Sequence, residues 1–315
     1  MENNKKVSVN EYVMLNSLPL DIKVAKSKLR IREWIEYYGE DNVYISFSGG
    51  KDSTVLLHLV REVNPNIKAV FVDTGLEFPE IKQFVKSFDN VEILRPKMSF
   101  KQVIEAYGYP MISKEQANYI YDYKNSTDYM KNIRWNGNAK GQFKISEKWK
   151  YVVNAPFDIS HKCCNVMKKE PVKRYERENK AHPFIGMVAE ESSLRKQSYL
   201  KNGCNGFTSK RPISQPLGFW KEQDILEYIY TNKIEICSVY GEVINIDNAY
   251  KTTLRDRTGC VFCGFGVHKE SYPNRYQKLE ITHPQLHYYC MNNLGFKDVC
   301  EFMKIEYKNN KEEQK

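Results

Sequence analysis

No apolar run in this chain of 315 residues approaches the roughly 20 consecutive residues that a membrane helix needs. The opening stretch MENNKKVSVN is polar and lacks the apolar core of a secretory signal. Both absences point to a cytoplasmic protein without membrane association. No internal repeat is present. Cysteine accounts for eight residues. In an intracellular chain such a set reads as metal ligands, sulfur chemistry or small core residues, and not as a disulfide framework. A hydrophobic content of 41% with 28% charged residues is ordinary for a globular protein, and the length suits one large domain or two smaller ones. The formal charge of +9 fits a polyanionic partner, an anionic nucleotide or plain solubility alike.

Residues 10–40 read as a helical lead-in, with Leu29, Ile31, Trp34 and Ile35 set among charges. Strand-like runs NVYISF, IKAVFVD and VEILR then alternate with helical stretches. In the first of these helices Val55, Leu56, Leu59, Val60 and Val63 share one face. Ser99 and Gln102 form a capping box that starts another helix. IKAVFVD is continuously apolar, as suits a strand buried on both faces. HPFIGMVAE reads as a return strand and WKEQDILEYIY as a helix. The alternation predicts a parallel, twisted α/β sheet flanked by helices and joined by right-handed crossovers. Residues 118–160, rich in Tyr, Lys and Asn, break the rhythm and are expected to be an irregular insertion. The predicted organisation is a helical segment over 1–40, a nucleotide-binding domain over 41–235, a C-terminal extension over 236–308 and a disordered tail over 309–315.

The stretch Ser46-Phe47-Ser48-Gly49-Gly50-Lys51-Asp52-Ser53 lies between the first strand and its helix. Glycines let the backbone bend so that successive N–H groups converge, and the helix N-terminus adds positive potential. Ser48, Ser53 and Lys51 add donors and charge. The loop suits a phosphate, although Gly-Gly is also common in plain turns. The four-residue spacing of a Walker A loop is absent. Asp73, Thr74 and Gly75 end the second strand, where the next loop of the sheet would face the same crevice. A nucleotide is expected at the switch point between the first strands.

Cys163 and Cys164 are adjacent, and Cys260 and Cys263 form a distant C-x-x-C pair. Four thiolates can hold iron or zinc, but an adjacent pair is awkward for a zinc knuckle, which favours two spaced pairs. Cys204, Cys237, Cys290 and Cys300 read as core residues.

From about Asn42 to Phe265 these motifs resemble a known family. SFSGGKDS resembles the PP-loop of the adenine nucleotide alpha hydrolases, a Rossmann-like fold whose loop grips pyrophosphate or sulfate. FVDTGLEFPE resembles the second signature of its PAPS/APS reductase branch. The Cys-Cys…C-x-x-C set, with Lys168 and Pro171 at the family's offsets, resembles the motif that holds a four-iron four-sulfur cluster in assimilatory APS reductases. EESSLRKQ resembles the family's Glu-Ser-x-x-Arg run, placing Ser192 and Arg195, and ISQPLGFWKEQDILEYI resembles its Pro-Leu-x-x-Trp segment.

The resemblance implies an oxidoreductase that binds APS or PAPS through residues 46–53, Asp73–Gly75, Lys168 and Ser192, with Lys51 and Arg195 stabilising anionic groups. Cys163, Cys164, Cys260 and Cys263 would carry the cluster, or zinc. Thioredoxin or glutaredoxin would release sulfite. The two cysteine pairs must then come together in space.

Two departures stand out. Gly186-Met187-Val188 replaces the family's Gly-x-Arg, removing a basic anion contact. The C-terminal Glu-Cys-Gly-Leu-His run, which supplies the attacking thiolate, is missing. That leaves Cys290, Cys300 or a partner's thiol as nucleophile. Relatives of the fold also act on ATP as pyrophosphatase-type sulfurtransferases that modify tRNA or DNA. The cations and aromatics interleaved over 118–160 suit nucleic acid, or a plain solvated lid.

Overall fold

The computed structural model describes residues 7–309. Positions 310–315 of the expected tail, and the first six residues, lie outside it. Among the described residues eight strands form: β1 (Val43–Ser46), β2 (Ala69–Val72), β3 (Val91–Leu94), β4 (Met111–Ile112), β5 (His182–Ile185), β6 (Val243–Ile246), β7 (Ala249–Thr252) and β8 (Gly264–Phe265). No described helix is long and apolar enough to cross a membrane.

The chain divides into two compact units. One contains the described residues up to Asp73, with Glu77–Arg95 and Pro171–Thr258; the other contains Thr74–Leu76, Pro96–Glu170 and the residues from Gly259 onward.

The first unit is built on a four-stranded sheet of order β3-β2-β1-β5, parallel throughout. The expected α/β architecture is therefore present. Ser46 pairs with Val70 on one side and with Ile185 on the other. Central β1 buries Val43, Tyr44 and Ile45, as a strand covered on both faces must. The helix Lys51–Val63 buries Val55, Leu56, Leu59 and Val60 along the face that the sequence marks.

The lead-in forms the helices Val9–Asn16 and Leu20–Tyr38. The second buries Ile31 and Trp34 and leaves Leu29 exposed. It is tied to the helix Glu222–Thr231 by a buried ion pair, Lys23 Nζ to Asp224 Oδ2 at 2.5 Å. Trp220 Nε1 donates to Ser27 Oγ at 2.9 Å, and Ser27 donates on to the Pro216 carbonyl. These bonds fix the segment that delivers Glu222. The antiparallel hairpin β6–β7 also belongs to this unit.

In the second unit β4 and β8 pair in parallel, and aromatic rings of Phe100, Phe262, Tyr109, Tyr276 and Phe296 pack together. Ser99 and Gln102 make the expected capping box. The stretch read as an irregular insertion is largely helical instead. Ser113 caps Lys114–Asn125, Thr127 caps Asp128–Asn136, and a 3-10 segment covers Glu147–Asn154. Ser113 and Thr127 supply the capping hydroxyls, accepting from the Gln116 and Met130 amides.

Candidate functional site

The loop after β1 and the loop after β5 meet at the carboxyl ends of two neighbouring strands. Chain order reverses there, because β2 was laid on one side of β1 and β5 on the other. The switch point is thus between β1 and β5. A cavity of about 310 Å³ opens there, lined by Ser48, Gly50, Lys51, Asp52, Ser53, Gly186, Val188, Glu191, Arg195, Glu222, Tyr240, Asp256, Arg257 and Thr258.

Backbone chemistry explains the loop. Gly49 has φ +71°, and a Cβ there would press on Ile81 and Val85 at 3.0 Å, so glycine is required twice over. Ser53 Oγ donates to the Gly50 carbonyl at 2.8 Å and accepts from the Ser48 amide at 3.2 Å. Its oxygen also lies 3.0 Å from Ser48 Oγ, which must then be the donor. Both hydroxyls therefore hold the loop in shape, a role the sequence had not separated from ligand contact. Gly186 lets β5 approach: a Cβ there would meet the Asp52 carbonyl oxygen at 3.0 Å and Ser53 Cα at 3.1 Å.

The charges interlock. Lys51 is buried, and its Nζ donates to Glu222 Oε1 at 2.6 Å. Ser192 caps the helix Ser193–Asn202, accepting from the Arg195 amide at 3.3 Å, and the Arg195 side chain pairs with Glu191. Burial pushes the Asp52 carboxyl up, with Lys51 opposing and Glu222 adding to the rise. Burial lowers the Arg195 guanidinium; Asp52 opposes this and Arg257 contributes to it. The arrangement can hold an anion against loop amides and a helix N-terminus, and the basic groups already have carboxylate partners for an anion to displace.

Not every expected residue lines this cavity. Asp73 is bound by Lys82 at 2.6 Å and does not line it. Phe47 is core, packed edge-on against Phe88, and Ser46 sits in the strand. Thr74, Gly75 and Lys168 belong to the second unit. Sequence reading missed Glu191, Glu222, Tyr240 and the run Asp256-Arg257-Thr258. Glu191 and Glu222 carried a signal: the first is the Glu of the Glu-Ser-x-x-Arg run and the second lies in the Trp-Lys-Glu stretch at a helix start.

The four cysteines expected to bind metal all lie in the second unit. Cys163 and Cys164 open a helical run that widens into a π turn over Asn165–Lys169, a distortion common at functional sites. Their sulfurs are 3.9 Å apart. Cys163 donates to Cys164, which raises the Cys163 thiol and lowers that of Cys164, the latter also favoured by Lys114 and Lys168. The Cys163 thiol also senses Cys263 and Cys260, and Cys263 senses Cys164. The Cys263 amide donates to the Cys260 carbonyl at 3.1 Å, and Arg275 Nη1 donates to the Cys263 carbonyl at 2.9 Å, pinning the turn. Among the described residues no three His, Cys, Asp or Glu side chains are gathered into a ready metal site. The donor chemistry, four thiols in one unit, is of the kind that a soft metal takes.

Cys290 and Cys300 do not fit the role of nucleophile. Both are fully buried. Burial, with Glu301 adding to it, pushes the Cys300 thiol up to about 12, and burial with Cys300 beside it raises Cys290 well above the ordinary range. A thiol at that value is ionised to roughly one part in 10⁵ at neutral pH. Native alkylation followed by peptide mass spectrometry is expected to leave both unmodified. Labelling of either at the rate of an exposed thiol would restore it as a candidate.

The interleaved cations of 118–160 are mostly engaged within their own unit. Arg134 pairs with Asp122 at 2.7 Å, Lys124 with Asp158 and Lys131 with Asp128. Lys150 pairs with Glu147 and lies over the Trp135 ring, and Lys148 lies over Trp149. This is the pattern of a packed helical insert.

A parallel sheet with a glycine-turned anion cradle at its switch point defines a nucleotide-binding α/β domain. The family model "Phosphoadenosine phosphosulfate reductase domain" matches residues 42–135 and 111–264, and the chain belongs to that family of enzymes. It is 23% identical over 209 residues to adenosine 5'-phosphosulfate reductase of Bacillus mycoides, across 66% of this chain and 72% of that one. It is 25% identical over 283 residues to an uncharacterized protein of Methanocaldococcus jannaschii, across 86% of this chain. The chain spans about half the length of that relative, 55%. Among solved structures it is similar to phosphoadenylyl-sulfate reductase from Candida auris in its phosphate complex, with TM-score 0.41 and 15% identity over 75% of this chain and 92% of that one.

Proposed function

We propose that the protein reduces an adenylylated sulfate and takes its attacking thiol from outside the chain. The observation that carries this reading is the cavity where the 48–53 loop, Lys51 and Arg195 converge. The loop amides and the helix N-terminus hold the adenylate phosphate. Lys51 and Arg195 stabilise the charge that develops as AMP departs. A thiolate attacks the sulfate sulfur; a sulfur–sulfur bond forms, and the sulfur–oxygen bond to the phosphate breaks with its electron pair on AMP. A second thiolate attacks the first sulfur, sulfite leaves, and a disulfide remains. Two thiols are oxidised while sulfate falls to sulfite. With Cys290 and Cys300 buried, both thiols come from a donor of the thioredoxin or glutaredoxin class.

Cys163, Cys164, Cys260 and Cys263 are the residues that hold a four-iron four-sulfur cluster in this reading. Such a group supplies a polarisable, redox-tunable charge when bound. Zinc would take the same thiolates but has no redox chemistry.

A product assay tests the function. Anaerobically purified protein is offered APS, PAPS or ATP separately, with thioredoxin and a reductant, and with tRNA or DNA in the ATP samples. Sulfite is expected, with AMP from APS or adenosine bisphosphate from PAPS. The burial of both candidate thiols also favours a second reading, an ATP pyrophosphatase-type sulfurtransferase acting on tRNA or DNA. Pyrophosphate and AMP from ATP, formed only with nucleic acid present, would establish that reading and remove the first.

A further inference from the structure

We infer that Arg257 is a third anion-binding side chain of the cavity, taking the place of the basic residue that is absent after Gly186. The inference rests on reading the cavity as the seat of an anionic nucleotide. Three basic residues line it: Lys51, Arg195 and Arg257. Lys51 donates to Glu222, and Arg195 pairs with Glu191. Among the described residues Arg257 makes no hydrogen bond or ion pair, and its side chain is exposed.

A solvated surface arginine is the ordinary alternative, and two observations weigh against it. The backbone is fixed on both sides of Arg257. Thr252 Oγ1 donates to the Arg255 carbonyl at 2.9 Å, and the Thr258 hydroxyl lies 2.6 Å from Tyr240 Oη. Tyr240 in turn stands close to the phosphate loop, since a Cβ on Gly50 would lie 3.3 Å from its hydroxyl. Arg257 is also set against a like charge, close enough to Arg195 to disfavour its protonated form. Two guanidinium groups facing one cavity repel in water, and a tetrahedral oxyanion between them turns that repulsion into attraction. The chain places no basic residue at Met187 or Val188, so the loop after β5 offers no competing contact. The ligand chemistry is a phosphate or sulfate group carried on an adenosine, gripped by the planar fork that arginine provides and lysine does not.

The test is calorimetric binding to the full chain, with AMP, adenosine 5'-phosphosulfate and inorganic pyrophosphate as probes. Arg257→Gln is expected to weaken binding about tenfold to a hundredfold. Arg257→Lys should recover only part of the loss, and thermal unfolding should change little because the exposed side chain makes no hydrogen bond or ion pair and acts on the Asp52 carboxyl only through its charge. A loss seen with AMP assigns the contact to the adenylate phosphate; a loss confined to the phosphosulfate assigns it to the sulfate. Equal affinity of wild type and Arg257→Gln for every probe, or no binding of any probe by wild type, overturns the inference. Arg257-dependent binding of pyrophosphate without sulfite formation from either adenylyl sulfate leaves the inference standing and removes the reductase reading.

Discussion

A Lys51→Met protein is expected to bind adenylylated anions about a hundredfold more weakly than wild type. Methionine keeps much of the buried stem's volume and removes only the charge. The cavity carries Lys51, Arg195 and Arg257 against Asp52, Glu191, Glu222 and Asp256, three formal cations facing four carboxylates. Without Lys51 the balance is two against four, and Glu222 loses its 2.6 Å partner. Loss of a fully buried pair costs about 3–5 kcal/mol in stability. Glu222 is 41% exposed, so water screens it and the folding cost falls well below that range. Affinity therefore suffers more than stability, and isothermal titration beside a thermal melt separates the two. The complementary change, Glu222→Gln, frees the lysine and is expected to tighten binding several-fold. It also removes one contribution that raises the Asp52 carboxyl. If Lys51→Met binds like wild type, the cavity is not the anion site.

Local features were legible in the sequence and long-range ones were not. The apolar runs of β1 and β2, the helix face of Val55 to Val60 and the Ser99 cap are dictated within a few residues of themselves, and they read correctly. The pairing of β1 with β5 joins Ser46 to Ile185, and no local pattern says that the fourth strand adds beside the first. That one pairing sets the switch point and brings Gly186, Val188 and Arg195 to the loop. Residues 118–160 read as irregular because they are rich in Tyr, Lys and Asn, yet within them Thr127 accepts from the Met130 amide and starts a helix. Arg257 carried no signal at all. Its importance comes from a hairpin whose return brings Thr258 to Tyr240, a contact 18 residues apart in the chain.

Anaerobic loading with iron and sulfide should give the wild-type chain a visible charge-transfer band, and Cys164→Ser or Cys263→Ser should abolish it. Each change removes one thiolate of four, and serine's hard oxygen is a poor ligand for a soft cluster. The two positions are chosen because their surroundings differ. Cys164 is the lowered thiol of its pair, favoured by Lys114 and Lys168 and standing just ahead of the π turn. Cys263 has its thiol raised by burial and lies in a turn pinned by Arg275. If metal holds all four sulfurs, both variants fail alike despite these opposite environments. If only the adjacent pair mattered, Cys164→Ser alone would lose metal. Cys237→Ala, in the other unit and outside the set, should keep its iron. Zinc in place of iron and inorganic sulfide, lost on the same substitutions, would keep the ligands and discard the cluster. Iron content unchanged in both variants would discard the ligands themselves, and the four cysteines would then be small packing residues of their unit.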